Sequence, residues 1–341
     1  MKRYICILIT LLTVCNLNAN SFHLNKNQDR SPNRVEKKNF KGISTIKIDH
    51  SYGNIVVKES KSSGEVQLEV RYFDNKNRKV EKQVETRKNV LYVKTIDAKK
   101  NSSRGARIDY ILTVPKKSAL NVELSYGGIR IDNVVGKFDL KMEYGNLNAN
   151  SLGNLVMKGK YNEITINTLN NLIISSDYSK VRINKANEIE LKSKYTDYVI
   201  KLVKSVNKGS YSEFGDLRLD VVDLADVNLK YSDINIGKLN EKLKANCDYS
   251  DVNISSVSRK LVQVDIKSSF SDVKIVSNVV IITKIDLRTS FGEIDIANKF
   301  NQNYTYIKKE SNKETRQGTL GKENPTASIA VTTAYGDIII K

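Results

Sequence analysis

The 341-residue chain has no tryptophan, only two histidines, three cysteines and three prolines. Both histidines, His23 and His50, lie near the N-terminus, so a serine–histidine–aspartate or cysteine–histidine site is hard to assemble from this sequence. No histidine and cysteine cluster has metal-site spacing, and no glycine-rich phosphate loop occurs. These absences predict that the chain has no catalytic, cofactor-binding or metal-binding residues and is not an enzyme.

The N-terminus has the pattern of a signal peptide. Lys2 and Arg3 precede an apolar run over residues 4–14, which is too short to serve as a stable membrane anchor. Cleavage after Ala19 would define a signal peptide at residues 1–19. The sequence therefore predicts an exported protein, placed in the periplasm, on the outer-membrane surface or in the medium, with no transmembrane segment after signal cleavage.

Cysteine usage gives an alternative fate for this segment. Lipoprotein processing at Cys15 would anchor the chain, although Val14 replaces the small residue that normally precedes the lipid-bearing cysteine. Cleavage after residue 19 removes Cys6 and Cys15 and leaves Cys247 alone, so no internal disulfide can form. Stability must then come from packing and backbone hydrogen bonds.

The chain is strongly basic, with a net charge of +18, or +16 once Lys2 and Arg3 are removed. This charge favours an anionic envelope polymer, lipid head groups or another protein as partner, and we expect no nucleic acid. Enrichment in lysine, asparagine and isoleucine is also typical of a biased genome, and lysine protects exposed sheet edges. The oligomeric state stays open.

An internal repeat begins at an aromatic residue. A small or turn-forming residue follows, then a polar residue and two alternating apolar residues, as in Tyr161-Asn-Glu-Ile-Thr-Ile. From Tyr126 to Phe291 the aromatics are 16 to 21 residues apart. The units start at Tyr52, Tyr126, Tyr144, Tyr161, Tyr178, Tyr195, Tyr211, Tyr231, Tyr249, Phe270, Phe291 and Tyr335.

Apolar residues fall at positions +3, +5, +8, +11 and +13 after the aromatic, and three successive units from Tyr144 match without adjustment. A period of two predicts strands, and parity breaks near +1, +8 and +15 predict corners. A β-sandwich or antiparallel barrel is the competing interpretation, but the Asn-Gly and Asp-Gly turns of hairpins are absent. The sequence therefore predicts an all-β fold, a single-chain parallel β-helix (β-solenoid).

Stacked rungs lie about 4.8 Å apart, so equivalent side chains form ladders. The aromatic ladder could be a stacking platform for sugars or bases, or a stack that fills a corner. Phenylalanine at two of its positions favours the corner. The ladder is predicted to run through Tyr126, Tyr144, Tyr161, Tyr178, Tyr195, Tyr211, Tyr231, Tyr249, Phe270 and Phe291.

Two further columns follow the same register. Position +2 is often acidic, which indicates either Ca²⁺ along a corner or capping of backbone N–H groups; the glycine-rich calcium motif is missing, which favours capping. The acidic column is predicted at Glu163, Asp197, Glu213, Asp233, Asp251, Asp272, Glu293 and Asp337. Position −2 is small, and Cys247 there is interpreted as an inert buried thiol. That column is Gly159, Ser176, Ser193, Gly209, Cys247, Ser268, Thr289 and Thr333.

The predicted organisation has four parts. The signal peptide is followed by a flexible segment at 20–40, an irregular N-terminal β cap at 41–115 and β-solenoid repeats at 116–341, with a polar insertion at about 301–327. Solenoids need caps because a terminal rung would otherwise expose its edge.

A family resemblance is carried by two stretches. The run from Tyr110-Ile-Leu-Thr-Val-Pro to Tyr126-Gly-Gly-Ile-Arg-Ile, and the ending Tyr335-Gly-Asp-Ile-Ile-Ile, resemble the putative-adhesin β-strand-repeat family, the domain of unknown function numbered 4097. The resemblance covers roughly residues 40–341 and implies an exported β-solenoid of bacterial envelopes. It implies no agreed activity and no functional residues.

These observations predict a non-enzymatic, exported cell-envelope protein. We expect an adhesin-like binding or structural module that presents a basic β-solenoid surface to an anionic envelope or extracellular partner. The alternative is a polysaccharide-active β-helix enzyme, a lyase or hydrolase, which would need one groove where acidic and basic residues break the repeat.

Overall fold

Strands form all the regular secondary structure that the computed structural model describes, which covers residues 31–61, 64–74, 80–97, 106–277, 282–321 and 324–341. None of these residues belongs to a helix long and apolar enough to cross a membrane. The N-terminal strands are β1 (Arg34–Lys41), β2 (Thr45–Ser51), β3 (Asn54–Glu59), β4 (Glu65–Phe73), β5 (Val80–Arg87), β6 (Val90–Asp97), β7 (Arg107–Val114) and β8 (Ala119–Ser125).

Long strands that turn corners make up the central region, and shorter strands follow. The central strands are β9 (Gly128–Glu143), β10 (Asn146–Lys160), β11 (Glu163–Asp177), β12 (Lys180–Lys194), β13 (Asp197–Glu213), β14 (Leu217–Lys230) and β15 (Ile234–Asp248). The remaining strands are β16 (Val252–Ile254), β17 (Gln263–Ser269), β18 (Val273–Ile275), β19 (Thr283–Ser290), β20 (Ile294–Ile296), β21 (Gln302–Lys309), β22 (Lys313–Leu320), β23 (Ala327–Ala334) and β24 (Ile338–Ile340).

The central strands stack in parallel as the rungs of a β-solenoid. Strand β11 pairs with β10 on one side and β12 on the other, so that Ile164 lies in register with Leu147 and Val181. All three side chains are buried. Because like positions stack on like positions, the inward residues of each unit form one continuous apolar core, which no single rung could bury. The predicted parallel β-helix is confirmed.

The corners differ in one place from the sequence expectation. Ladder pairing is interrupted on either side of position +8, where Asn150 and Gly153 have no register partner in β11. Position +15 continues the inward alternation, since Ser176 and Ser193 are buried. Position +1 is also inward, since Asn162 and Ser179 are buried, so the breaks predicted near +1 and +15 are a single break at the aromatic itself.

The order of rungs at the N-terminal end differs from the order of the chain. Strand β2 pairs in parallel with β6 and with β8, and β3 pairs with β7 and with β9. The rung of Tyr52 therefore lies between the later rung of β6 and β7 and the first regular rung at Tyr126. The segment 41–115, predicted as an irregular cap, contains a full rung of the coil.

The C-terminal end is built the same way. Strand β23 pairs in parallel with β17 and β19, and β24 pairs with β18 and β20. The last strands of the chain are therefore inserted between two earlier rungs. The sequence order predicts that Phe291 follows Phe270 in the stack. This prediction was wrong, because Tyr335 lies between the two rings.

Antiparallel strands cover both ends. Strands β4 and β5 pair with β7 and β6, and β1 pairs with β4; at the other end β22 pairs with β19 and β21 pairs with β22. Charged β1 and β5 protect the outer edges. Strand β1 begins at Arg34, within the segment predicted to be flexible over 20–40. The polar insertion at about 301–327 contains the β21–β22 hairpin, while the predicted signal peptide, Cys15 and His23 lie outside the described residues.

Candidate functional site

One edge of the solenoid carries an uninterrupted stack of aromatic rings. Adjacent ring centroids are 4.7–5.1 Å apart and the ring planes differ by 1–15°. The exposed fraction of each ring residue is between 41% and 54%. In spatial order the aromatic ladder is Tyr52, Tyr126, Tyr144, Tyr161, Tyr178, Tyr195, Phe214, Tyr231, Tyr249, Phe270, Tyr335 and Phe291.

Phe214, and not Tyr211, occupies its rung of the ladder, so the prediction at this rung was wrong. Strand β13 pairs Ile189 with Val206 and then Lys192 with Tyr211, so it contains two extra residues. This insertion moves the aromatic corner. The signal was present in the sequence, because Phe214-Gly-Asp-Leu-Arg-Leu fits the repeat better than the run from Tyr211.

The other two columns shift with this rung. Asp216 takes the acidic position that was predicted for Glu213, and its backbone N–H lies 3.3 Å from Asp197 Oδ1. Ser212, which is buried, takes the small inward position that was predicted for Gly209. Gly209 lies in the insertion with a φ of 90°, a conformation that glycine adopts without strain.

Every aromatic of the ladder adopts a left-handed backbone conformation, with φ between 50° and 58°. This conformation costs roughly 1–2 kcal/mol for a residue with a Cβ atom. The backbone N–H groups of Tyr161 and Tyr178 donate to the carbonyls of Asp177 and Lys194 on the next rung, at 3.0 and 3.1 Å. The corner thus keeps its inter-rung hydrogen bond, and ring stacking offsets part of the strain.

The stacking geometry decides between the two interpretations of the ladder. Each inner ring has both faces covered by its neighbours, so a sugar or base has no free face to stack on. The part of each ring that meets solvent is its edge. The arrangement favours a corner-filling stack, in which exposure of the rings is a consequence of the left-handed turn.

The acidic column caps backbone N–H groups from rung to rung. Asp251 N donates to Asp233 Oδ1 and Asp272 N donates to Asp251 Oδ1, both at 2.8 Å. The same bond joins Asp337 to Asp272 and Glu293 to Asp337. Burial, together with the charges of Asp251 and Asp216, raises the pKa of Asp233 against this hydrogen bonding. The carboxylates therefore have a structural task at the corner.

Replacement of Asp251 separates hydrogen bonding from charge. Asp251→Ala removes the acceptor of the Asp272 N–H and should lower the free energy of unfolding by about 1–2 kcal/mol. Asp251→Asn keeps an acceptor and removes the repulsion from Asp233 and Asp272, so its stability should equal or exceed that of the parent. Urea unfolding followed by circular dichroism measures both variants. Equal losses in the two variants would mean that the negative charge itself is needed there.

A second polar column lies buried one residue before the acids. Asn162 N donates to Ser179 Oγ at 3.0 Å, and Ser232 N donates to Ser250 Oγ at 2.9 Å. These bonds run from each rung to the next one, opposite in direction to those of the acidic column. The two columns together pair backbone donors at the aromatic corner that strand ladders do not reach.

Cys247 lies at the inward position −2 and is buried. Burial, with smaller effects from Asp248 and Asp233, raises the pKa of its thiol to about 12. A thiol that stays protonated is a poor nucleophile. The side chain therefore behaves as a small packing residue, as the sequence predicts.

His50 lies in a buried polar group near the N-terminal end. Its Nδ1 lies 2.7 Å from Thr95 Oγ1, which lies 2.8 Å from the hydroxyl of Tyr110. Burial lowers the pKa of His50 to about 4, against the opposing effects of Asp49 and the Ile108 carbonyl. Within the described part of the chain, no three histidine, cysteine, aspartate or glutamate side chains are grouped to hold a metal ion.

His50 should make the fold sensitive to mild acid. Its folded pKa of about 4 is below an unfolded value of about 6.5, so the unfolded chain binds the proton more readily. The contribution of His50 to the free energy of unfolding is fully present above pH 6.5 and decreases as the pH falls towards 4. The free energy of unfolding should therefore fall by about 2 kcal/mol between pH 7 and pH 5. Urea titrations at both pH values measure this loss. His50→Gln should be less stable at pH 7 but should lose much less between the two; an unchanged pH slope would contradict the assignment.

Positive charge is spread unevenly along the chain. Residues 1–115 contain 23 lysines and arginines against 11 acidic residues, whereas residues 116–277 contain 24 against 20. Some of the opposite charges in the regular rungs form exposed ion pairs, such as Arg182–Glu163 and Lys141–Glu123. The excess charge thus belongs mainly to the N-terminal part of the chain.

Comparisons with known proteins identify the repeat. A family model described as Toastrack DUF4097 matches residues 43–341. A search of curated proteins gave no match. Among solved structures, a putative adhesin from Bacteroides fragilis is 13% identical, with 91% of this chain and 98% of that chain covered and a TM-score of 0.28.

Two further crystal structures are similar at the same low level. A putative cell adhesion protein from Clostridium sporogenes is 10% identical over 90% of this chain and 99% of that one, with a TM-score of 0.18. A putative adhesin from Parabacteroides merdae is 15% identical over 72% and 95%, with a TM-score of 0.36. At these TM-scores the similarities carry no argument about function.

Proposed function

The chain belongs to the Toastrack DUF4097 family, and on that premise we propose that it is a non-enzymatic, exported cell-envelope protein with an adhesin-like binding role. Its partner would be an anionic polymer of the envelope or of the surroundings. The lysine-rich composition and the signal-like N-terminus support this proposal.

The observation that carries the proposal is the uniformity of the exposed surface. The aromatic ladder presents the same ring edge at every rung, at a spacing of 4.7–5.1 Å. Six residues after the aromatic, exposed amide side chains also form a ladder over four rungs, since Asn150, Asn167 and Asn184 each donate to the asparagine of the preceding rung at 3.0–3.1 Å. Such a surface suits a long, repetitive partner better than a single small substrate.

The acidic column also favours binding over hydrolysis. A glycosidase needs two carboxyl groups, one protonated and one free to attack or to activate water. The carboxylates of Asp233, Asp251 and Asp272 instead each accept a backbone hydrogen bond along the corner. Their geometry supports a structural role, and we therefore prefer the binding protein to the polysaccharide-active enzyme.

Retention on an acidic matrix tests the proposed binding. The full chain, applied to immobilised polygalacturonate at low salt, should be retained and should elute as salt rises, because screening shortens the Debye length to about 10 Å at 0.1 M. Immobilised neutral dextran is the control matrix. If the chain passed through the polygalacturonate matrix at low salt, or were retained equally on dextran, an anionic partner would be contradicted.

Export needs a separate measurement. Protease treatment of intact cells should digest the chain if it is displayed on the surface, whereas a periplasmic chain should be digested only after the outer membrane is permeabilised. A chain recovered only from the cytosolic fraction would contradict the proposed envelope location.

A further inference from the structure

One face of the solenoid departs from the uniform repeat. It is the face that leads into the aromatic corner, and it contains a groove of about 440 Å³ that crosses five neighbouring rungs. Tyr211 lines one end and Thr332 the other. The register Tyr211, Asn228, Asn246, Lys267, Thr332 places these five side chains in one column across the rungs.

The insertion in β13 explains why the groove begins where it does. Because the corner has moved to Phe214, Tyr211 stays on the sheet face, in register with Lys192 and Asn228. The next positions carry the short side chains of Asn228 and Asn246, so the face is lower there than at Tyr211. A ring at one end and short amides along the floor are what shape the groove.

Tyr211 is held in place by charged neighbours. Its hydroxyl donates a hydrogen bond to Glu213 Oε2, and Lys194 Nζ lies 2.8 Å from the same carboxylate oxygen. The hydrogen bonds from Lys194 and then from Tyr211 lower the pKa of Glu213. The phenol is therefore fixed by an ion pair, and no ring stack involving Tyr211 occurs among the described residues.

The rest of the groove offers hydrogen-bonding groups and two cations. Asn246 Nδ2 donates to Asn228 Oδ1 at 2.8 Å, and each amide has further donors and acceptors to offer. Lys230 and Lys267 are exposed lining residues, and Asp248 lies in register between Lys230 and Ser269. The groove is thus amphiphilic at Tyr211 and mixed in charge elsewhere.

This combination selects one class of ligand. A sugar ring offers a C–H face to Tyr211 and hydroxyl groups to the asparagines and Asp248, and a carboxylate on the sugar would pair with a lysine. A phosphodiester backbone has few hydroxyl donors for Asp248 and the asparagines, and its phosphates have no C–H face for Tyr211, so it fits this lining less well than a sugar chain. Five rungs span on the order of 20 Å, long enough for several sugar units.

We propose that this groove binds a short segment of an acidic glycan, with Tyr211 against a sugar ring and Lys230 and Lys267 against sugar carboxylates. The inference rests on the proposed function, because it names the ligand class and the site through which an anionic polymer would be recognised. It assigns that recognition to an irregular rung of the coil and not to the aromatic ladder.

Isothermal titration calorimetry of the full chain with size-defined oligogalacturonate tests the groove. The double variant Lys230→Gln/Lys267→Gln should bind about tenfold more weakly. The matched control is Lys185→Gln/Lys238→Gln, two exposed lysines at position +7 on another face; its affinity should stay within about twofold of the parent. A neutral maltooligosaccharide should bind more weakly than the acidic probe to the parent chain.

Tyr211 gives a second, charge-neutral test. Tyr211→Ala should weaken binding of the oligogalacturonate about tenfold, whereas Tyr211→Phe, which keeps the ring, should bind within about threefold of the parent. Circular dichroism and thermal unfolding check that each variant is folded. Tyr211→Phe therefore shows whether a loss in the alanine variant comes from the missing ring.

The outcomes separate this inference from the proposed function. If the parent binds the acidic probe but the groove variants bind equally well, the groove assignment is wrong and the proposed function stands. If the control pair weakens binding as much as the groove pair, binding follows total charge and the groove is again excluded. If the parent binds no acidic probe on the polygalacturonate matrix or in solution, both proposals fail.

Discussion

Val331→Asp is expected to unfold the C-terminal rungs of the solenoid. Val331 is buried in the last long strand, in register with Ile266 on one side and Leu287 on the other. The carboxylate would be buried without a partner, and its desolvation should lower the free energy of unfolding by at least about 4 kcal/mol. Urea unfolding followed by circular dichroism measures this loss.

The neighbouring residue supplies the control. Thr332 is exposed in the same strand, so Thr332→Asp should change the stability by no more than about 0.5 kcal/mol. A Val331→Asp protein as stable as Thr332→Asp would mean that the strand does not contribute to the core.

Hydrogen exchange of the same variants tests the order of the rungs. The inserted strand β23 separates β17 from β19, so its loss should expose the backbone amides that face it from both strands, including those of Ile266 and Arg288. In a stack that followed the chain order, β17 and β19 would pair with each other and stay protected when the last rung is lost. Protection that persists in Val331→Asp would therefore contradict the inserted arrangement.

The regular coil could be predicted because its physics is repetitive. Leu147, Ile164 and Val181 lie in register, and all three are buried. A parallel stack places every unit in the same environment, so the same inward positions must be apolar in each unit. A period of about 17 residues with a period of two inside it then defines both the strand faces and the neighbours.

The ends could not be predicted from the same pattern. The unit at Tyr335 has the same motif as the units at Phe270 and Phe291, so its sequence does not distinguish a terminal position from an inserted one. The deciding contacts are between residues far apart in the chain, such as Val331 with Ile266. The unit at Tyr52 was predicted as a repeat, but its place between two later rungs was not, for the same reason.

The corner and the groove show two other limits. A positive φ at an aromatic residue runs against the usual backbone preference, and the alternation of apolar residues contains no sign of it. The groove at Tyr211 arises from two extra residues in β13, which a comparison of repeat lengths treats as irregular spacing. Side chains that give one rung its own binding properties are therefore found where the sequence departs from the repeat.

The aromatic corner makes two opposing contributions that substitutions at Tyr178 can separate. Tyr178 has a φ of 51°, and its ring centroid is 5.1 Å from that of Tyr161 and 4.7 Å from that of Tyr195. Tyr178→Phe keeps the stack and should change stability by less than about 0.5 kcal/mol. Tyr178→Asn removes the stack but tolerates the left-handed conformation, and should lose about 1–3 kcal/mol for two ring contacts.

Tyr178→Val completes the series, because it lacks the ring and also disfavours the left-handed backbone. It should be about 1–2 kcal/mol less stable than Tyr178→Asn in urea unfolding. If valine and asparagine were equally unstable, backbone strain would play no part in the corner. If Tyr178→Asn were as stable as Tyr178→Phe, ring stacking would add nothing to folding. The twelve aligned rings would then be explained better by binding, and the aromatic ladder would again be a candidate recognition surface.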